Sequence, residues 1–306
     1  MSFHNPPDSA GPETATFHLS LPRAGALTDV ITAEPGEPVD DDELDAAREA
    51  VTRGVADALA SAPRGSGLRI DSYRIQLAFS KTRRLSIAEE AFEPTPAACR
   101  RAIGSLGVTA SVRNSSIAPA QAVSEILDRA NGPSVEACAW WEEWYRRIPP
   151  GARAVVRAEA ITWATQLYEA IEWSRLEKLP VIGGDFRWSP PGAHRVPGTR
   201  RATLHAKVDV HASVRGRPVL FVIPTGVPGP SWSAALGLDA LVAGLVRGTR
   251  GIPARVVGLW PASGQVRILP IEPGGIHKAS GLAVEAAHRL TRATHGARGP
   301  SSVGTL

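Results

Sequence analysis

Four polar residues alternate along one short stretch of the chain, His205, Lys207, Asp209 and His211, with Leu204, Ala206, Val208, Val210 and Ala212 between and around them. In an extended chain, successive side chains point to opposite faces. The polar four then share one face and the apolar five the other. Asp, Lys and His on one wall suit phosphoryl chemistry, with Asp209 holding a divalent cation and Lys207 steadying a phosphate. His205 and His211 add ring nitrogens that would suit Mn²⁺ or another transition metal. An antiparallel strand with one face in water produces the same alternation without any chemistry.

The neighbouring elements decide what such a wall could do. A basic turn, Arg215-Gly216-Arg217, leads into the wholly apolar run Val219–Ile223, whose two faces should both be buried. Pro224 cannot donate a ladder hydrogen bond and should end that strand. Upstream, residues 152–173 read as a helix with Val156, Ala160, Trp163, Leu167 and Ile171 on one stripe. Glu159 lies about 60° from the stripe centre at 100° per residue, whereas Glu169 and Glu172 point away. Glu159 is therefore the helix carboxylate that would face the sheet, or else it sits in a polar margin with Arg157. Residues 180–200 are a Pro-, Gly- and Arg-rich excursion. Trp232–Val246 reads as a helix, 254–260 and 265–271 as a hairpin, and 276–294 as a last amphipathic helix.

The order is helix, strand with Asp, turn, buried strand ending before Thr225-Gly226, helix, then two strands. Over roughly residues 150–290 it resembles the restriction-endonuclease-like, PD-(D/E)XK superfamily, with its RecB-like branch nearest. The resemblance implies an α/β fold in which a mixed central sheet is flanked by helices. It also implies a Mg²⁺ site built from a helix Glu, a strand Asp and an acidic-x-Lys pair on the next strand, the Lys helping to activate water for phosphodiester hydrolysis. Carried over by position, the Glu falls on Glu159 and the Asp on Asp209. The acidic-x-Lys pair falls on Val222 and Pro224, so a metal ligand and the lysine are both missing. Leu236 and Leu241 stand near the places where RecB-like members often carry Gln and Tyr. Lys207 is placed to substitute for the lost lysine. If the site is active, Asp209, Lys207 and Glu159 are its catalytic residues, and Asp209, Glu159 and His211 its ligands for Mg²⁺ or Mn²⁺. If it is degenerate, no cofactor is expected.

The N-terminal half reads differently. Residues 1–15 carry few apolar side chains and two proline pairs or turns, a composition of disorder. Asp40-Asp41-Asp42-Glu43 suits the positive end of a helix running to about Ala60. Tyr73–Phe79 alternates and predicts a strand. Pro96 and Pro119 open helices, the first through about Ile103 and the second to Ala130. A third helix from about Ser134 places Trp140 and Trp144 at i, i+4 spacing, a packing stripe or a pair of base-stacking rings. Pro149-Pro150-Gly151 marks a boundary. The expected organisation is a disordered tail at 1–15, an acidic, mainly helical region with one or more strands at 16–150, a basic α/β domain at 151–295 and a loose tail at 296–306.

Charge separates the halves, about −6 over residues 1–150 and about +10 over residues 151–306. A basic half binds phosphate backbones by releasing counterions, and equally docks on an acidic half or an acidic protein partner. Arg200, Arg201, Arg215 and Arg217 flank the two strands and are the candidate contacts to DNA or RNA. Cys99 and Cys138 lack the neighbours a zinc site needs and cannot build a disulfide framework. No signal-peptide pattern and no run near the ~18 apolar residues of a membrane span is present, so a cytoplasmic protein is expected. Gly183-Gly184-Asp185 lacks the Lys-Ser/Thr of a phosphate loop. Three functions follow: a degenerate nuclease-like module that binds nucleic acid or docks a protein, an active divergent nuclease, and a non-enzymatic scaffold with an acidic partner.

Overall fold

The computed structural model describes residues 16–18, 24–62, 67–80, 95–132, 140–178, 184–191, 201–224, 228–260 and 263–296. Among them the chain is α/β, with nine α-helices and two mixed sheets. A short strand β1 (Thr16–His18) and helix α1 (Ala24–Thr32) come first. The acidic run then does two jobs. Asp40 caps α2 (Asp41–Ala60), its carboxylate accepting the backbone N–H of Glu43 at 2.8 Å. Glu43 in turn accepts the N–H groups of Gly274, Ile276 and His277 at 2.8–3.0 Å, satisfying donors that the last helix, α9 (Gly275–Gly296), leaves open at its start. Gly54 lets α2 and α9 approach closely, since a Cβ there would lie 2.4 Å from Val284.

The expected strand at Tyr73–Phe79 is instead a helix. Strand β2 (Gly67–Asp71) ends at Asp71, whose side chain accepts the N–H of Arg74 at 2.9 Å and starts α3 (Ser72–Ala78). Ile75 and Ala78, three apart, are its buried residues, so the cap outweighed a seven-residue alternation. Thr95 and Pro96 open α4 (Pro96–Arg113), which runs ten residues beyond the expected end. Pro119 opens α5 (Pro119–Ala130), as expected. In α6 (Trp140–Arg147) the buried pair is Trp141 and Tyr145. Trp140 remains 39% exposed and Trp144 is partly buried, so the packing stripe lies one residue along from the one read in the sequence. Pro149-Pro150 starts α7 (Pro150–Glu169), with Val156, Ala160, Ala164 and Leu167 buried.

After α7 come β3 (Glu177–Lys178), β4 (Gly184–Trp188), β5 (Arg201–Val208), β6 (Val210–Val214), β7 (Arg217–Val222), α8 (Trp232–Arg247), β8 (Arg255–Trp260) and β9 (Gln265–Pro270). The larger sheet has the order β1-β9-β8-β7-β6-β3. In it β7 and β8 are parallel, connected through α8, and the other pairs are antiparallel. The smaller sheet is β2-β5-β4, with β2 parallel to β5. Arg215 and Gly216 form the two-residue turn between β6 and β7, both at positive φ (51° and 76°), the backbone that matches strand twist in a tight hairpin.

Two cores lie on opposite faces of β7. Leu220 and Val222 pack into one with α2, α3, α8 and α9, while Val219, Phe221 and Ile223 pack into the other with α4–α7. The wholly apolar strand is thus buried on both faces, as its sequence implied. Both cores draw residues from before and after position 150, and β2 pairs directly with β5. The proline pair opens a helix, and packing does not divide there into an acidic helical unit and a basic α/β unit. Among the described residues no helix is long and apolar enough to cross a membrane.

Candidate functional site

The alternating stretch 204–212 is not one strand. Leu204, Ala206 and Val208 face the α2/α8/α9 core, whereas Val210, Ala212 and Val214 face the α4–α7 core. The side-chain alternation changes hand at Asp209, where β5 leaves the smaller sheet and β6 enters the larger one. Asp209 fixes this break. Its backbone N–H donates to Phe221 O at 2.9 Å, Oδ2 accepts the N–H of Ile223 at 2.7 Å, and Oδ1 accepts the hydroxyl of Ser105 at 2.7 Å. Thr109, one turn along α4, donates its hydroxyl to Ser105 O at 2.8 Å and lies 3.4 Å from Asp209 O.

Beside Asp209 lies a cavity of about 600 Å³. Lys207, exposed, and His205, buried, line it together with Asp209. A guanidinium only donates, so His205 Nδ1, 2.6 Å from Arg69 Nη2, is the acceptor of that pair. Arg69 also pairs with Asp71 at 3.0 Å, and Arg74 approaches the same carboxylate oxygen at 3.4 Å. Arg101 reaches the cavity from α4, with buried Nε and Nη1 groups that have no hydrogen-bond partner among the described residues. Burial pulls its pKa down while the charge of Asp209 raises it.

The floor holds an acid that the sequence reading missed. Asp239 on α8 is fully buried and accepts the Ser72 hydroxyl at 2.9 Å. Burial, then the nearby charges of Asp209 and Asp71, push its pKa well above the usual carboxylate value, against the lowering effect of the Ser72 bond, so the fold favours its protonated form. Trp260 completes the floor, its ring seated over Gly258, where a Cβ would lie 2.3 Å from it. A signal for Asp239 was available: it is the one charged residue between Trp232 and Val246, in a helix apolar on all sides. Arg69, Asp71 and Ser72 escape the sequence reading because residues 67–72 draw no assignment in it and Tyr73–Phe79 reads as a strand.

The other expected site residues lie elsewhere. Glu159 is not in the cavity wall; it pairs with Arg100 at 2.6 Å, and that guanidinium stacks on Trp163, 4.4 Å from the ring centroid. It lies part-exposed on α7 with Arg100 as its partner, whereas Arg157, the expected neighbour, pairs with Asp128. His211 turns away from Lys207 and Asp209 because of the break. It is buried against Phe186, and burial plus the Arg247 charge push its pKa down to about 4. The proposed ligand set Asp209, Glu159 and His211 is therefore not assembled, and among the described residues no three His, Cys, Asp or Glu side chains group to hold a metal. Val222 and Pro224, at the positions of the acidic-x-Lys pair, do line the cavity.

The candidate basic contacts divide as well. Arg200 lies outside the described residues, and Arg201 is placed only by its backbone pairing with Gly67. Arg215 pairs with Glu34 at 3.1 Å and Arg217 donates to Gly36 O at 2.5 Å. Arg255 donates to Ile31 O and Glu34 O at 3.2 and 3.0 Å, and Arg175 pairs with Asp29 at 2.7 Å. Part of the basic half thus holds the chain's own residues 29–36. Neither the protein-family models nor the curated proteins compared with the sequence match it.

Proposed function

We propose that the chain is a restriction-endonuclease-like protein that has lost catalysis and holds nucleic acid by its phosphates at the cavity beside Asp209. The observation that carries this reading is the composition of the cavity wall. Lys207, Arg69 and Arg101 supply positive charge, while Val222 and Pro224 stand where an acid and a lysine would do the chemistry. The order α7, β5–β6, β7, α8, β8, with β7 parallel to β8, is compatible with the superfamily core.

Loss of catalysis has a physical basis. A Mg²⁺ ion takes six oxygen ligands, usually including one or two carboxylates. Both oxygens of Asp209 already accept hydrogen bonds from the protein. Asp71 is bracketed by two arginines, and burial disfavours the charged form of Asp239. The cations that remain bind phosphate without activating water.

The test is a binding and cleavage assay on single- and double-stranded DNA and RNA, with and without Mn²⁺. Binding should weaken steeply with salt, and no Mn²⁺-dependent cut should appear. Absence of binding to any nucleic acid at low salt would refute the reading and favour protein docking. Cleavage by wild type that is lost in Lys207→Ala would establish an active nuclease instead.

A further inference from the structure

In the wall of this one cavity Asp239 Oδ2, Trp260 Nε1, and Arg101 Nε and Nη1 are buried polar atoms with no hydrogen-bond partner among the described residues. Asp239 and Trp260 are each 0% exposed. Native interiors seldom leave such groups open unless water or a ligand supplies the partner. The open groups are of two kinds. Arg101 offers positively charged N–H donors near the exposed Lys207, a setting for an anion. Asp239 and Trp260 offer fully buried polar groups, a setting for the edge of a polar ring. Between them the walls are apolar, formed by Val222, Pro224, Ala235 and Leu236. Tyr73, 58% exposed, also lines the cavity.

From this arrangement we infer that the cavity takes one nucleotide, its base edge against Asp239 and Trp260 and its phosphate at Arg101 and Lys207. A plain phosphate would use the cations but leave the floor unpartnered and the apolar walls wet. A planar base satisfies both, since pockets that read an unstacked base combine hydrogen bonds to its edge with apolar or aromatic contact to its faces. In its protonated form, which burial favours, Asp239 keeps Oδ1 for the Ser72 hydroxyl and presents Oδ2–H as a donor, and the Trp260 indole presents a second. Carbonyl oxygens and ring nitrogens of a base are the matching acceptors. The volume is in the range of small-ligand pockets. Tyr73 supplies a face on which a neighbouring base stacks.

The inference rests on the phosphate-binding reading above, and the experiment separates the two. Binding of the full chain is measured by fluorescence anisotropy with eight-nucleotide strands of dA, dC or dT and with an abasic strand of equal length. At least one base-bearing strand should bind about tenfold more tightly than the abasic strand. Asp239→Leu should shrink that preference below about threefold, whereas Asp239→Asn, which keeps a donor, should retain it. Trp260→Phe, which keeps an aromatic ring and removes the N–H, should also reduce the preference, and serves if Asp239→Leu does not fold. Competition with nucleoside monophosphates distinguishes free nucleotides from strands as the source. Equal binding of the abasic and all base-bearing strands would overturn the base pocket and leave phosphate binding standing. No binding of any strand at low salt would overturn both.

Discussion

Asp209 Oδ2 accepts the backbone N–H of Ile223 at 2.7 Å, and this bond ties the break between β5 and β6 to the end of β7. The second oxygen reaches Ser105 on α4. The carboxylate that a nuclease would offer to a metal is here a brace joining a helix, a strand end and a change of sheet. The same brace sets the cavity wall, since Lys207 and His205 precede the break and keep their cavity-facing orientation while His211, beyond it, does not.

Removing the brace should cost stability directly. Asp209→Ala leaves the Ser105 hydroxyl and the Ile223 N–H without their acceptor, and urea midpoints should report a loss of about 2–4 kcal/mol. Asp209→Asn retains an oxygen for Ile223 and should cost about half as much. A loss within about 0.5 kcal/mol, typical of surface changes, would show that the carboxylate does not brace the fold.

Glu159 should behave as a surface charge. Its pair with Arg100 is part-exposed, so Glu159→Gln should change stability by no more than about 1 kcal/mol and leave nucleic acid affinity unchanged. Arg100→Ala should cost more, because the guanidinium also loses its stack on Trp163. A large loss of affinity in Glu159→Gln would restore it to the functional site.

Much of the C-terminal architecture was legible because its signals are local. The continuous apolar run Val219–Ile223 gave a strand buried on both faces, Pro224 its end, and Pro261-Ala262-Ser263-Gly264 the hairpin between β8 and β9. The site was less legible because its geometry turns on long-range events. Nothing in the alternation of 204–212 announces that the strand changes sheets at Asp209, since the deciding bonds come from Ser105 and Ile223. The Asp71 cap reversed the assignment of Tyr73–Phe79, and with it went Arg69, Asp71 and Ser72. Charge asymmetry was read correctly as a number, but its use by Arg215, Arg217 and Arg255 on residues 31–36 required the fold.

His211 predicts sensitivity to acid. Its folded pKa, about 4, lies below the ordinary value near 6.5 because the ring is buried and faces Arg247. The unfolded chain therefore binds the proton more readily, and the stability held above pH 6.5 is lost as pH falls towards 4. Comparing urea midpoints of wild type and His211→Leu across that window should show wild type losing on the order of 3 kcal/mol relative to the variant. Parallel curves would mean that His211 titrates alike in both states.

Asp239 predicts the opposite slope at higher pH. Burial holds the folded acid protonated, with Asp209 and Asp71 acting in the same direction, whereas the unfolded acid ionises in the ordinary range. The folded state then binds the extra proton, so stability declines as pH rises through the carboxylate range and until the raised folded pKa is passed. Relative to Asp239→Asn, wild type should lose about 1.4 kcal/mol per pH unit within that window. Calorimetric melting of both proteins between pH 5 and 8, run at about one-unit steps, reads this slope. A difference between the two that is independent of pH would show that Asp239 is already ionised in the fold.

The last prediction separates cations available to phosphate from those spent on the chain itself. Lys207 is exposed at the cavity, whereas Arg217 donates to Gly36 O and Arg215 pairs with Glu34. Each phosphate contact removed lowers the slope of log affinity against log salt by about one. Lys207→Ala should therefore weaken binding of a single-stranded oligonucleotide and flatten its salt dependence by about that amount. Arg217→Ala should leave the slope unchanged and instead hasten limited proteolysis within residues 33–40, which it helps to hold. If Arg217→Ala flattens the salt slope and Lys207→Ala does not, the nucleic acid lies along the β6–β7 turn, and the cavity beside Asp209 is not where phosphates bind.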